Sequence, residues 1–136
     1  MTQEQKQLLL IDLCSRLPYG VKCQVQEDEI TYIGTLCKLE IDNANGNLLD
    51  FAESVSGLEW QVYLSEVKPY LFPLSSMTEE QLVIYGDLCY AIIHSLAWDM
   101  QAALNELVDW LNKNHFDYNN LIPKGLANDA TGLNIY

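Results

Sequence analysis

The chain has 136 residues, 49% of them apolar, which suits one domain with its own core and is too apolar for a disordered chain. Nineteen Asp and Glu face seven Lys and Arg, a net charge of −12, and Arg16 is the only arginine. Without a basic footprint to displace counterions from phosphates, nucleic acid is excluded as a partner; the acidity also repels anionic membranes and favours basic protein surfaces.

Residues 2–17 predict a helix. Thr2 and Gln5 have capping-box spacing, and Leu9, Leu10, Leu13, Cys14 and Leu17 follow the i, i+3, i+4 rule. Pro18-Tyr19-Gly20 stops it. The period then changes to two: Val21, Cys23 and Val25 alternate with Lys22, Gln24 and Gln26, a half-buried strand followed by a Glu27-Asp28 turn. Along Ile30 to Ile41, Ile33, Cys37, Leu39 and Ile41 share one phase, while Ile30, Tyr32 and Leu36 share the other. Either both faces are covered or a bulge at Gly34 shifts the register. DNANGN at 42–47 is a turn signal, Leu48 to Ala52 a return strand, and 54–57 a loop. Leu58, Trp60, Val62 and Leu64 then point one way along a further strand.

KPYLFPLSSM at 68–77, with Pro69 and Pro73, predicts an apolar crossing loop lying on the core. A helix over 78–97 follows, with a Thr78–Gln81 capping box and a Met77–Leu82 hydrophobic staple. It is apolar nearly all round, so it is either central or shared with another subunit. A second helix starts near Asp99, with Met100, Ala103, Leu104, Leu107, Val108 and Leu111 as its inner stripe. Asp117 reads as the cap of a last helical turn that Pro123-Lys124-Gly125 ends. The fold expected is one α+β domain spanning 1–136. It has an N-terminal helix, a small antiparallel sheet of three or four strands, two long C-terminal helices packed on one sheet face, and an ordered tail.

Few residues suggest chemistry. Cys14, Cys23, Cys37 and Cys89 contain no CxxC pair, so no metal is expected, and the polar start MTQEQKQ lacks the basic region of a signal peptide. Four reduced, mostly buried thiols in a cytosolic protein are expected. Leu82 to Trp98 is 13 apolar residues out of 17, but Asp87 and His94 interrupt it and its flanks are acidic, which favours a helix of the fold over a membrane span. A Cys–His nucleophile would need His94 or His115 as base; Cys89 and His94, five residues apart, do not share a helix face. His94 reads as a buried, hydrogen-bonded histidine, and Asp87 as a buried partner for a lysine or a group facing a pocket. No catalytic residue and no cofactor is expected. Lys124-Gly125 and Thr131-Gly132 are a weak phosphate cradle. The aromatic clusters Tyr63, Tyr70, Phe72 and His115, Phe116, Tyr118 suit an interface, a stacking pocket or a satellite core.

Two stretches, KPYLFPLSSMTEEQ at 68–81 and WLNKNHFDYNNLIPKGLANDATGLNIY at 110–136, resemble a family of short proteins carried by phages and mobile elements of gut Bacteroides-type bacteria. The family's ending resembles HFDYxxLIxxGLAxDATGLNIY, and LCSRLPYGVK at 13–22 is similar to it as well. The resemblance covers about a third of the chain. The family has no established activity, so no residue role transfers. The resemblance implies a phage-borne accessory protein in the host bacterial cytoplasm. The expected function is counter-defence: a non-catalytic homo-oligomer that sequesters a small nucleotide-type signal. The alternatives are an acidic inhibitor that docks on a host defence protein, a phage morphogenesis component, and an enzyme without a visible motif. The candidate binding residues are Lys68, Tyr70, Phe72, His115, Phe116, Asp117, Tyr118, Lys124 and Thr131.

Overall fold

A computed structural model describes residues 1–42, 46–52, 59–96 and 99–136. Helix α1 (Gln3–Arg16) begins at a reciprocal capping box. The Gln5 N–H donates to Thr2 Oγ1 at 3.1 Å, and the Thr2 N–H donates to Gln5 Oε1 at 2.9 Å. The helix tightens into a 3-10 turn, Leu17–Tyr19, and stops at Gly20, whose φ of 65° suits glycine. Its inward face differs from the predicted one. Leu9, Leu10 and Leu13 are buried as expected, but Asp12 and Arg16 join them and Cys14 is exposed. The ion pair takes the inward positions of the last two turns, so the face is Leu9, Asp12, Leu13, Arg16 at i, i+3, i+4, i+7 spacing.

The sheet is larger than expected and mixed. Strands β1 (Lys22–Glu27), β2 (Ile30–Asp42), β3 (Gly46–Ala52), β4 (Glu59–Tyr63), β5 (Val67–Pro73), β6 (Phe116–Asp117) and β7 (Asn128–Asp129) form it. Its order is β4-β3-β2-β1-β5-β6, with β7 also on β5. The first five pair antiparallel, whereas β6 and β7 run parallel to β5. The proposed bulge is displaced: Gly34 pairs in register with Cys23, and the shift falls between Leu36 and Lys38. That shift brings Leu39 toward the same core as Tyr32 and Leu36; Ile33, of the opposite phase, is exposed, as is Ile30 at the start of the strand. Residues 43–45 of the predicted turn at 42–47 and all of the loop at 54–57 lie outside the described residues.

The crossing loop expected at 68–77 is instead strand β5 followed by a 3-10 turn, Leu74–Ser76. The prolines bracket its outer ladder. The Phe72 N–H donates to the His115 carbonyl at 2.8 Å, and the Ala130 N–H donates to the Leu71 carbonyl at 2.8 Å. The missing N–H groups of Pro69 and Pro73 fall on either side of those bonds. The alternating register of β1 holds: Val21, Cys23 and Val25 are buried with Leu36, Val62, Val67 and Leu71 beneath α1. Each such aliphatic side chain contributes roughly 1.5–3 kcal/mol of burial.

Of the helices, α1 covers this core. Helices α2 (Glu79–Ile93) and α3 (Met100–Lys113) pack on each other, Tyr85 against Trp110 with ring centroids 6.4 Å apart. The hairpin joins the rest through the base of α3, where Trp110 stacks on Phe116 at 5.6 Å and Leu111 and Asn112 are buried. Helix α2 starts at the predicted capping box, with bonds of 2.9 and 3.2 Å, but ends at Ile93 rather than 97 and buries no residue. It is therefore not central. His94, expected to be buried, is an exposed C-cap that lies on the Tyr90 ring at 3.9 Å, and Asp87 is exposed. Half of the α3 stripe is uncovered: Met100, Leu104 and Val108 are exposed. Of the four thiols Cys23 alone is fully buried, and burial, followed by the charge of Asp12, pushes its ionisation up. Among the described residues no helix is long and apolar enough to cross a membrane.

The tail is docked. Phe116, Leu121, Leu126, Ala127 and Ala130 are buried, while Leu133 is exposed. Asp117 caps a turn as predicted: its two carboxylate oxygens accept the Leu121 and Ile122 N–H groups at 2.8 and 2.9 Å. Arg16 reaches the tail from α1. Its Nε and Nη2 donate to Asp12 at 2.7 and 3.1 Å, and Nη2 also donates to the Phe116 carbonyl at 2.7 Å. The Tyr118 ring lies 5.1 Å from the guanidinium carbon, and Asn119 Nδ2 donates to Asp12 at 2.8 Å.

Asp12→Ala leaves the Arg16 charge buried and unpaired, and is expected to lower stability by about 3–5 kcal/mol in urea unfolding. Asp12→Leu combined with Arg16→Met removes both charges and should unfold at higher urea than Asp12→Ala alone. Deleting residues 126–136 removes the Ala130 bond and the Leu126 contact, and should lower the melting temperature; an unchanged melt would contradict a docked tail.

Candidate ligand-binding site

A cleft sits where the tail, β5 and the base of the hairpin meet. It has a volume of about 330 Å³ and is lined by Phe72, Ser76, Thr78, Gln81, Lys113, Asn114, His115, Phe116 and Tyr136. Thr78 and Gln81 open α2 and Lys113 and Asn114 close α3, so the two helices run antiparallel and place these polar groups on one rim. The floor is aromatic. Phe72 meets Phe116 edge-on at 6.4 Å and Tyr136 at 5.9 Å, and His115 stacks on Tyr136 at 3.6 Å with 12° between the planes.

His115 is held in an unusual way. Just beyond the α3 cap it adopts φ 61°, a left-handed conformation that a residue with a Cβ enters at a cost of about 1–2 kcal/mol. Its N–H donates to the Asn112 carbonyl at 3.1 Å and its carbonyl accepts from Phe72, so helix end and strand together impose the geometry. Its Nδ1 is buried without a hydrogen-bond partner among the described residues. Burial, then the charges of Arg16 and Lys22, lower its pKa to about 4, so the ring is neutral near pH 7.

Tyr136 closes the other side. Its hydroxyl accepts the Lys22 N–H at 2.9 Å and donates to the Tyr70 carbonyl at 2.8 Å, while Lys22 Nζ donates to the Ile135 carbonyl at 2.9 Å. Although 42% of the residue is exposed, covering of the hydroxyl side pushes its ionisation up. Among the described residues lining the cleft, Lys113 carries the one formally charged side chain, with no side-chain carboxylate or thiol beside it. In a chain of net charge −12, Lys113 lines the cleft and the positive charges of Arg16 and Lys22 act on His115 from behind it.

The structure brings together Phe72, His115 and Phe116 of the candidate residues, and Tyr70 supports them through its carbonyl. It puts the others elsewhere. Lys68 lines a separate polar cleft of about 240 Å³ with Gln24, Gln26, Ser65 and Glu66. Asp117 is buried as a turn cap, and Tyr118 lies over Arg16 while donating to Asn112 Oδ1 at 2.8 Å. Lys124 and Thr131 are exposed, the Thr131 N–H donating to Asp129. Ser76, Thr78, Gln81, Lys113, Asn114 and Tyr136 were not singled out from the sequence. Lys113 and Asn114 adjoin His115, which was a usable signal; Thr78 and Gln81 carried only a helix-cap signal. Among the described residues no group of three or more His, Cys, Asp or Glu could hold a metal ion.

His115 enters the fold neutral, with a folded pKa of about 4 against roughly 6.5 unfolded. Between those values the unfolded chain takes up a proton that the folded chain refuses, so the histidine's contribution is complete above pH 6.5 and is lost as pH falls toward 4. His115→Asn keeps a residue tolerant of positive φ. The wild type should lose more melting temperature than this variant between pH 6.5 and 4.5; parallel curves would place the proton elsewhere.

No protein-family model, curated protein or solved structure matches the chain. What the cleft can hold follows from its own side chains.

Proposed function

We propose that this chain is a non-catalytic binding protein. It sequesters a small nucleotide-type signal molecule of a bacterial host, acts as a homo-oligomer, and serves a phage or mobile element against host defence. The lining of the 330 Å³ cleft carries the reading: stacking surfaces from Phe72, His115 and Tyr136, backed by the buried Phe116, face a rim of Ser76, Thr78, Gln81, Asn114 and Lys113. A planar base fits the aromatic floor, where each stacked base is worth roughly 1–3 kcal/mol. Hydroxyls and amides suit sugar edges, and the lysine suits a phosphate. Retention without turnover fits the same residues. Among the described lining residues no side-chain carboxylate or thiol accompanies His115, which supports retention without turnover. The resemblance of the two distinctive stretches to proteins of phages and mobile elements supports the biological setting.

The test is thermal melting and calorimetry of the full chain against linear, cyclic and ADP-ribose-type nucleotides, followed by heat release and chromatography of the ligand. The expected result is a raised melting temperature and unchanged ligand, with Lys113→Ala weakening binding by about tenfold. No shift with any nucleotide would overturn the ligand class, and a converted ligand would overturn the non-catalytic role. The net charge of −12 favours a second reading, docking on a basic host protein; it requires a stoichiometric complex that salt weakens.

A further inference from the structure

The α2–α3 hairpin exposes apolar surface that the described residues do not cover. On α2, Val83, Tyr90 and Ile93 are 63–76% exposed; on α3, Met100, Leu104 and Val108 are 37–42% exposed. At roughly 100° per residue, Leu82, Gly86, Tyr90 and Ile93 fall within about a quarter turn, beside the half-buried side of α2 that faces α3. Met100, Leu104 and Val108 occupy a similar sector of α3. Because the helices run antiparallel, both stripes flank their contact on the same side and form one face.

Three observations indicate what covers it. The large side chains of the face are 37–76% exposed and contiguous, more apolar surface than a monomer usually leaves open and on the scale of the roughly 600–800 Å² that one side of a stable complex buries. Gly86 lies at the centre of the α2 stripe, and a Cβ built there meets nothing within 4 Å among the described residues. A mid-helix glycine disfavours the helix, and none of the described residues requires it; it leaves a groove where another helix can approach closely. Most charges are also kept aside. Glu106 and Asp109 lie on the far side of α3 and Asp87 beyond the edge of the α2 stripe, while Glu79 shares that stripe only in its first turn, at the end of the face. A chain of this acidity can therefore meet its own copy along most of this face without setting carboxylates opposite one another.

We propose that this face pairs with the same face of a second copy, two hairpins forming a four-helix bundle. The proposal specifies the self-association in the function above but does not depend on the ligand of the cleft, so mass measurements and nucleotide titrations can fail separately.

Sedimentation equilibrium of the full chain at micromolar concentration tests it. The wild type should have twice the 15.5 kDa chain mass. Val83→Glu and Ile93→Glu, each placing a charge in the face, should weaken association by about a hundredfold or more and sediment as monomers. Circular dichroism should show both variants folded. Gly86→Ala should weaken the dimer while favouring the helix, and Ile30→Glu, at a 67% exposed position on β2, should leave the mass unchanged. A monomeric wild type, a dimer that survives both face charges, or a dimer lost in Ile30→Glu would each overturn the proposal, as would a wild-type chain found only in complex with a different protein.

Discussion

One buried ion pair ties the chain together. Arg16, the only arginine in a strongly acidic protein, is fully buried beside a fully buried Asp12. Desolvating two charges is expensive unless their geometry and remaining hydrogen bonds offset it. Here the offset comes from distant parts of the chain: the Phe116 carbonyl and Asn119 supply hydrogen bonds, and the Tyr118 ring covers the guanidinium. The N-terminal helix and the tail are thereby joined at a point where neither can move without exposing a bare charge to a dry interior. The same charge reaches the cleft, where it helps keep His115 neutral.

The tail consequently acts as part of the sheet. Two short parallel strands, β6 and β7, lie along the outer side of β5, and the Asp117 cap turns the chain between them. Their backbone satisfies an edge that would otherwise present open donors and acceptors. The cleft forms at this seam because three elements end there: the sheet edge, the first turn of α2 and the last turn of α3. Helix ends supply polar groups and a sheet edge supplies flat aromatic surface, which is why stacking and hydrogen bonding occur together in one small volume.

The hairpin follows a different rule. It draws little stability from the sheet core and is held at its base by Trp110, Leu111 and Phe116. Its remaining apolar stripe is a local excess of hydrophobic surface, separate from the chemistry of the cleft.

Local codes in the amino-acid order determined much of this architecture. The capping boxes at Thr2 and Thr78, the alternation of Val21, Cys23 and Val25, the cap at Asp117 and the burial of most tail apolar residues each depend on neighbours within a few positions. Of the cleft, the aromatic cluster around Phe72, His115 and Phe116 was legible because flat apolar rings with polar edges suit few environments. Tertiary structure alone decided what depends on distant partners. Asp12 and Arg16 had no place in the apolar stripe of the first helix, and the hydrogen bonds supplied by the tail put them inside; Pro69 and Pro73 read as loop until their missing donors fell outside the ladder of residues 70–72. Lys68, Lys124 and Thr131 could not be separated from Lys113 by residue type, since a charge or hydroxyl carries no sign of where it will sit. Only the meeting of α3's end with the sheet edge gave Lys113 a place in the cleft: local pattern sets an element's type and inward face, while a site depends on which element ends converge.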